Sequence, residues 1–268
     1  MKIEVLVTTM HQKDFSKYSE MNLQTDAVIA NQTNENGFLE EEINCKKVRL
    51  VSTDTRGLSK NRNIAIENID NDTDIIVFAD DDLKFYDNYE QTIISAFNKM
   101  PEAQAVKFNV NCISERKISM KPTVKFHRAN RKEVTSWGVW GLAVKVSVIK
   151  ENLIKFNERF GTGTENYCGE DTIFLQDLFK KKISLYASPD YIAEIDQSHS
   201  TWFKGYDEKY FTVAGMIISE IYPVLCYLLV IRSAYKFSKR KNCNLPFLKI
   251  LKCYYKGIVK NARERKIS

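Results

Sequence analysis

Three consecutive acidic residues, Asp80, Asp81 and Asp82, follow directly after the apolar segment 75–79. Adjacent carboxylates repel one another, so such a cluster is costly unless a cation neutralises it. Carboxylate oxygens suit Mg²⁺ or Mn²⁺, which proteins often hold together with the oxygens of a diphosphate. The cluster therefore indicates a metal site, and a solvated turn that caps the following helix is the alternative interpretation.

Three cations, Arg56, Lys60 and Arg62, lie close together in the run Arg56-Gly-Leu-Ser-Lys-Asn-Arg-Asn63. The run follows a predicted strand and leads into a predicted helix, so the positive end of a helix dipole adds to their charges. The arrangement favours binding of an anion. Ordinary capping of the helix by Ser59, with solvated cations, is the alternative.

Two more acids, Glu170 and Asp171, begin a predicted helix after a glycine-bearing loop, residues 161–169. Acids in the first turn stabilise a helix through its dipole, which is a purely structural interpretation. The functional interpretation is a carboxylate that acts as a general base beside an acceptor hydroxyl. His199, one of three histidines, is a candidate third metal ligand if the acid cluster holds a cation, and a structural histidine otherwise.

The elements that would position these residues alternate between strand and helix patterns. Strands are predicted at residues 2–8, 26–30, 48–52, 75–79 and 103–110, and helices at 58–69, 89–100, 147–156 and 170–182. This alternation is typical of an α/β fold with a mixed, mostly parallel sheet and helices on both faces. Ligands of such sheets bind beyond the carboxyl ends of the strands, where the acid cluster falls.

The composition is that of a globular protein, with 44% hydrophobic and 28% charged residues in a chain of 268. Its six cysteines are scattered without a C-x-x-C pair, which argues against a structural zinc site. The first residues have the pattern of a strand and not of a secretory signal. We therefore expect free thiols and a reducing, cytoplasmic location.

The charge is distributed unevenly. Residues 209–268 contain 13 Lys or Arg against two acids, a net charge of +11, whereas residues 1–208 contain 27 against 32, a net charge of −5. We accordingly divide the chain into a catalytic domain, 1–208, and a basic helical extension, 209–268. A basic extension on an acidic body indicates an anionic surface as a partner.

The apolar run 213–231 within this extension is close to the ~20 residues needed to span a bilayer. Glu220 and Pro223 argue against a span. The basic residues that follow would stay on the cytoplasmic side, so a span would also place the body outside the cell. A helix or helical hairpin lying in the membrane interface, with lysines and arginines reaching the headgroups, avoids these costs. A helix buried in the protein core is the other alternative.

Four motifs in this order resemble the family 2 glycosyltransferases with the GT-A fold, especially bacterial enzymes of surface and capsular polysaccharide synthesis. They are Arg56-Gly-Leu-Ser-Lys-Asn-Arg-Asn63, Phe78-Ala-Asp-Asp-Asp82, Trp140-Gly-Leu-Ala143 and Gly169-Glu-Asp171. The resemblance covers roughly residues 1–205. It implies a Rossmann-like GT-A sheet, a nucleotide-sugar donor and a divalent metal, Mn²⁺ or Mg²⁺.

The resemblance also assigns roles to individual residues. It implies metal binding by Asp80, Asp82 and His199, catalysis by Asp171 with Glu170 beside it, nucleotide-sugar binding by Thr8, Thr9, Asn31, Gln32, Arg56, Lys60, Arg62, Asp80 and Asp81, and acceptor binding by Trp137, Trp140 and Gly141. The usual Asp-Gly-Ser-like turn after the second strand is replaced by Asn31-Gln-Thr33, which leaves the nucleotide open, with a UDP-sugar favoured. A Gln-x-x-Arg-Trp motif is absent, which favours addition of a single sugar over processive synthesis.

The function implied is therefore an inverting, metal-dependent transfer to a lipid-linked or oligosaccharide acceptor at the inner face of the cell membrane. A catalytically idle scaffold that binds a nucleotide-sugar is the main alternative, and Asp171 argues against it. A nucleotidyltransferase is disfavoured because the first strand lacks a glycine-rich phosphate loop after it. Nucleic acid is not expected as a partner, because the basic extension is too apolar for a nucleic-acid arm.

Overall fold

A computed structural model of the chain describes residues 1–114, 121–196 and 205–266. As far as the described residues extend, the chain forms two compact units. The first contains Met1–Arg159 and Glu170–His199, and the second contains Phe160–Gly169 and Ser200–Ser268.

The first unit is built on one ten-stranded sheet. Its strands are β1 (Ile3–Met10), β2 (Asp26–Gln32), β3 (Gly37–Ile43), β4 (Lys46–Thr53), β5 (Ile75–Asp80), β6 (Leu83–Phe85), β7 (Ala105–Cys112), β8 (His127–Arg128), β9 (Leu142–Lys145) and β10 (Leu185–Ile195). Their order is β3-β4-β2-β1-β5-β9-β7-β10-β6, and β8 pairs with β10. The strands β4, β2, β1, β5, β7 and β10 run in one direction, so the predicted mixed, mostly parallel sheet is confirmed.

Helices cover both faces of this sheet. They are α1 (Ser16–Glu20), α2 (Leu58–Glu67), α3 (Tyr89–Lys99), α4 (Val146–Asn152) and α5 (Glu170–Lys180), with a 3₁₀ turn at Glu133–Ser136. Successive strand residues point to opposite faces, and in β1 Val5 and Val7 pack into one core while Leu6 packs into the other. α3 contributes Ile93 to the first core and α5 contributes Phe174 to the second.

The register of the parallel strands aligns their polar carboxyl ends. Thr8 of β1 lies opposite Asp80 of β5, and Thr9 of β1 lies opposite Asn31 of β2. Because β1, β2 and β5 are parallel, these side chains share one edge of the sheet. The sequence patterns alone left this alignment open.

Several predicted elements differ in extent from those observed. The helix predicted at 147–156 is α4, which ends at Asn152 because Leu153 adopts a left-handed conformation with φ of 49°. The edge strand β3 was not predicted, and its pattern is almost entirely exposed. An exposed strand carries little of the apolar alternation that identifies strands in a sequence.

The second unit is a group of three helices, α6 (Glu208–Ile221), α7 (Cys226–Ser238) and α8 (Phe247–Glu264). α6 and α8 approach closely at two glycines. A Cβ on Gly215 would lie 2.3 Å from the carbonyl oxygen of Tyr254, and a Cβ on Gly257 would lie 2.0 Å from that of Thr212. Their core is lined by residues of all three helices and the α7–α8 turn, including Phe211, Val230, Cys243 and Ile250.

The apolar run 213–231 is therefore not a single helix. It is divided between α6 and α7 by residues 222–225, which include Pro223. Glu220 accepts a hydrogen bond from Asn261 Nδ2 at 2.9 Å, which gives this carboxylate a partner within the helical group. Of the helices in the described parts of the chain, none has both the length and the apolar character required to cross a bilayer.

Candidate active site

The candidate site lies in the first unit, at the carboxyl ends of β1 and β5. Thr8 Oγ1 donates to Asp80 Oδ1 at 3.3 Å, and Thr9 Oγ1 donates to Asp81 Oδ2 at 2.6 Å. The pairing of β1 with β5 sets Thr8 opposite Asp80, and Thr9 and Asp81 are the next residue of each segment. The two hydroxyls orient the first two carboxylates of the acid cluster.

Arg62 joins this cluster to the helix that carries the second pair of acids. It lies on α2 with a side chain only 3% exposed, donates from Nη2 to Asp80 Oδ1 at 2.9 Å, and donates from Nη1 to Asp171 Oδ1. Its guanidinium carbon lies 5.1 Å from the centre of the Phe156 ring. Burial acts to lower the pKa of Arg62, but the charges of Asp171, Asp80 and Glu170 outweigh it and hold the pKa above its ordinary value. Arg62 is therefore a fixed cation between carboxylates.

Asp171 is held from two sides at the start of α5. Its Oδ1 accepts from Arg62, and its Oδ2 accepts from the backbone amide of Val139 at 3.2 Å. Burial raises the pKa of Asp171, Arg62 opposes that shift, and Asp80 adds to it. Burial, followed by repulsion from Asp171, raises the pKa of the neighbouring Glu170 to about 7. Burial thus raises the pKa of both acids at this helix start, unlike that of acids that only cap a helix in solvent.

Asp82 completes the acid cluster. Its side chain reaches solvent, but nearby protein atoms remove part of its hydration, and with repulsion from Asp80 and Asp81 this raises its pKa to about 7. A carboxylate in such a field binds a proton or a cation. In the described ranges 1–114, 121–196 and 205–266, no group of three or more His, Cys, Asp or Glu side chains converges as a complete metal site.

Lys107 is a site residue that the sequence analysis missed. It lies on β7, only 5% exposed, and its Nζ donates to the carbonyl oxygens of Trp140 at 2.5 Å and Phe108 at 3.2 Å. Nζ also lies 4.1 Å from the centre of the Trp140 ring. Burial lowers the pKa of Lys107 to about 7, against Asp171 and Asp80, whose charges raise it. A lysine inside the otherwise apolar start of a strand was the signal that could have found it.

The segment before β9 connects these residues through its backbone. The amide of Gly141 donates to the carbonyl of Phe78 at 2.9 Å, and the carbonyl of Gly141 accepts from the amide of Phe108 at 2.9 Å. Gly141 adopts a φ of +72°, and a Cβ there would lie 3.0 Å from Val110 Cγ2. The glycine therefore fits a close approach of three strands.

A cavity of about 250 Å³ opens beside this segment. Two predicted acceptor residues, Trp137 and Trp140, line it together with Lys107, Asn109 and Tyr191. Aromatic rings and amide groups are the surfaces to which a saccharide can stack and hydrogen-bond.

Other predicted site residues organise the loops beside the sheet. Asn31, fully buried, accepts from the Gln12 amide and donates to the Gln12 carbonyl, both at 2.9 Å. Gln32 donates to the carbonyl of Gly57 at 3.2 Å. Arg56 Nη1 donates to three backbone carbonyls, those of Thr33, Asp54 and Thr55, and its Nη2 donates to Asn34 Oδ1.

The predicted cluster of three anion-binding cations is divided in the structure. Arg62 is paired with carboxylates, Arg56 with the loop, and Lys60 is exposed. The predicted metal ligand His199 lies outside the described residues.

A family model matches part of the chain. Residues 32–155 match the family model described as glycosyl transferase family 2, a segment that contains Arg62, the acid cluster and Gly141. No curated protein matches the chain in sequence.

Solved structures of S. aureus TarS share the architecture. TarS 1–349 in complex with UDP-GlcNAc matches with a TM-score of 0.61 and 12% identity over 82% of this chain and 66% of that one. TarS 1–349 in complex with UDP matches with a TM-score of 0.63 and 12% identity over 91% and 74%. S. aureus TarS matches with a TM-score of 0.61 and 13% identity over 90% and 44%. This chain thus spans just under two thirds of the first of these structures and less than half of the last.

At this level of identity the likeness establishes the fold, which is that of the GT-A glycosyltransferases. The match to the glycosyl transferase family 2 model covers residues 32–155, and together with that fold it supports a glycosyltransferase activity.

Proposed function

We propose that this enzyme transfers a single sugar from a nucleoside diphosphate sugar to a saccharide hydroxyl, with inversion at the anomeric carbon. The observation that carries the proposal is Arg62, which ties Asp80 at a strand end to Asp171 at a helix start. A donor-side acid and a candidate base, both partly buried, are thereby held by one buried cation. A structural role alone would not require Asp171 and Glu170 to be desolvated.

The donor would bind over the carboxyl ends of β1 and β5, near Thr8, Thr9 and Asp81. The TarS structures in complex with UDP-GlcNAc and UDP support a UDP-sugar as the donor class. Asn31 and Gln32 shape the loop beside this position through Gln12 and Gly57. Asn31 and Gln32 would therefore influence which nucleotide binds through the conformation of that loop.

Mn²⁺ or Mg²⁺ fits the acid cluster. Asp80 and Asp82 would hold it, since Mg²⁺ is commonly bound by one or two carboxylates with the remaining ligands supplied by water and substrate phosphates. The raised pKa of Asp82 indicates a carboxylate that lacks a compensating positive charge. Such a cation would neutralise the diphosphate and make it a better leaving group.

The base would be Asp171. Its carboxylate would take the proton of the acceptor hydroxyl as that oxygen forms a bond to the anomeric carbon. The bond from that carbon to the diphosphate oxygen breaks, and its electron pair leaves with the nucleoside diphosphate. Attack opposite the leaving group inverts the configuration.

The acceptor would lie at the cavity lined by Trp137 and Trp140, next to Gly141. We place the enzyme in the cytoplasm, at the inner face of the cell membrane, where it would act on a lipid-linked saccharide in surface or capsular polysaccharide synthesis. The basic charge of residues 209–268 supports that location.

The proposal is tested by incubating the purified protein with Mn²⁺ or Mg²⁺ and a panel of nucleotide-sugars, and measuring released nucleoside diphosphate with and without EDTA. Release from one donor that stops with EDTA is the expected result. Because hydrolysis without an acceptor is slow, donor affinity is measured in parallel by calorimetry. Binding without release, even with saccharide acceptors, would favour a catalytically idle scaffold.

A further inference from the structure

The second unit exposes a continuous apolar and aromatic face on α7. Val224, Leu228, Ile231 and Tyr235 are spaced by four, three and four residues, and their exposed fractions run from 42% to 84%. That spacing places Leu228, Ile231 and Tyr235 on one side of the helix, opposite the buried Cys226, Val230 and Ala234, and Val224 lies just before its first turn. Large apolar side chains exposed in a row mark a site of interaction rather than ordinary surface.

α8 carries a second stripe of the same kind. Leu248 is 74% exposed, Tyr255 is partly buried and Val259 is 50% exposed. They follow one another at intervals of seven and four residues. They lie opposite Ile250, Tyr254 and Ile258, which are buried against the other helices.

The two stripes are joined side by side. The rings of Tyr227 on α7 and Tyr255 on α8 are stacked with their centres 6.2 Å apart. The apolar residues Val224, Tyr227, Leu228, Ile231, Tyr235, Leu248, Tyr255 and Val259 thus form one surface, which we call the α7–α8 face.

Cations surround this face. Arg232 and Lys236 on α7, Lys239 directly after it, and Lys252, Lys256 and Arg263 on α8 are all exposed. Residues 222–266 contain twelve Lys or Arg and a single acid, Glu264. Within the three described ranges of the chain, no carboxylate forms an ion pair with Lys252, Lys256 or Arg263. The charge around the face is therefore available to a partner.

We propose that the α7–α8 face docks on a lipid bilayer that contains anionic headgroups. Tyrosines and branched aliphatic side chains at the centre would enter the boundary between headgroups and acyl chains, while the lysines and arginines at its margin would contact lipid phosphates. A protein partner would equally bury the apolar residues of the face. The charged residues at its margin, however, are all positive, which favours an anionic surface. The inference shares its membrane location with the proposed function, and its test does not depend on catalysis.

The test is co-sedimentation of the full chain with vesicles of phosphatidylcholine alone and with vesicles containing about 30% phosphatidylglycerol. Binding to the anionic vesicles is expected. The variant Lys252→Gln/Lys256→Gln/Arg263→Gln should lose roughly a hundredfold in affinity, since each basic residue near an anionic surface contributes about fivefold. The variant Leu228→Ser/Tyr235→Ser should bind several-fold more weakly at about unchanged salt dependence.

Matched controls come from exposed positions in the first unit. Lys99→Gln/Lys132→Gln/Lys181→Gln removes three positive charges, and Phe38→Ser/Leu39→Ser removes two exposed apolar side chains. Both controls should bind vesicles as the unmodified protein does. Equal loss in a control and in the matching α7–α8 variant would overturn the proposal.

Two other results would also overturn it. One is that the unmodified chain stays in the supernatant with anionic vesicles. The other is a dimer, detected by light scattering, that Leu228→Ser/Tyr235→Ser converts to a monomer without any effect on vesicles. Donor turnover in solution is measured on the same variants and should be unchanged, so failure of the docking face and failure of the proposed transferase activity give different results.

Discussion

Asp171 shows how much of this site is decided by individual atoms. One carboxylate oxygen accepts from Arg62 and the other from the amide of Val139, so the side chain has a fixed orientation. Burial raises its pKa, and the positive charge of Arg62 opposes that rise.

Substitution Asp171→Asn is expected to lower donor turnover by at least about 100-fold, because an amide cannot accept the acceptor proton. Nucleotide affinity, measured by calorimetry, should change by no more than a few-fold. Asp177→Asn, in the same helix and paired with Lys180, is the control and should retain full turnover. Near-normal turnover of Asp171→Asn would show that another group is the base.

Lys107 makes a separate prediction about stability and pH. Its folded pKa of about 7 lies below the ordinary value of 10.5, so between these values the unfolded chain binds more protons than the folded one. Stability then rises with pH across that window. From pH 7 to pH 9 the free energy of unfolding should increase by about 2 kcal/mol more in the unmodified protein than in Lys107→Met.

Urea denaturation at the two pH values measures this difference. The exposed Lys99→Met is the control and should show the same pH dependence as the unmodified protein. If Lys107→Met also keeps that dependence, Lys107 has an ordinary pKa in the folded state.

At the scale of elements, the site depends on a junction of strands. Gly141 accepts a hydrogen bond from the strand on one side, β7, and donates one to the strand on the other, β5, while its φ of +72° suits glycine. The carbonyl of Trp140, one residue earlier, binds Lys107 Nζ. A change in this backbone would therefore move several site groups together.

Gly141→Ala should destabilise the protein by about 1–3 kcal/mol, because a left-handed residue with a Cβ is strained. Its Cβ would also meet Val110 Cγ2 at 3.0 Å. The measurement is the urea midpoint together with donor turnover, and both should fall. Gly37→Ala in β3 is the control, since its Cβ would have its nearest neighbour at 3.9 Å, and it should change neither. Equal effects of the two substitutions would contradict the role given to the junction.

At the scale of the whole molecule, the main feature is charge. The net charge is +11 on residues 209–268, which lie in the unit that bears the α7–α8 face, and −5 on residues 1–208. Attraction between this unit and anionic vesicles should weaken as salt shortens the screening length from ~10 Å at 0.1 M toward ~3 Å at 1 M.

Vesicle co-sedimentation at rising sodium chloride measures this effect. Binding should fall steeply over that range, and Lys252→Gln/Lys256→Gln/Arg263→Gln should show a shallower fall. Salt-independent binding would indicate that apolar contact alone holds the protein to lipid.

The sequence was most informative where a property is local. The apolar stretch of β5 and the acids after it predicted a strand that ends in a ligand site, and the spacing in α2, α3 and α5 predicted helices close to their observed bounds. These signals come from neighbouring residues and the period of one element, so no long-range information was needed.

Only the tertiary structure decided which of these residues meet. Arg62 was expected to attract an anionic ligand, but strand register and helix packing bury it between Asp80 and Asp171. Tertiary packing also buries Lys107 and thereby lowers its pKa. No sequence pattern indicates that loss of hydration.

The apolar run 213–231 makes the same point at the other end of the chain. Its composition alone was compatible with a membrane span, an interfacial helix or a buried one. Hydrophobicity shows that a segment avoids water, but not whether lipid or protein covers it. Packing of α6 against α8 at Gly215 and Gly257, and the bond from Asn261 to Glu220, decided which apolar side chains are buried. The sequence by itself determined the elements and their chemistry, whereas long-range packing determined the distances, the burial and therefore the charges of the groups that act.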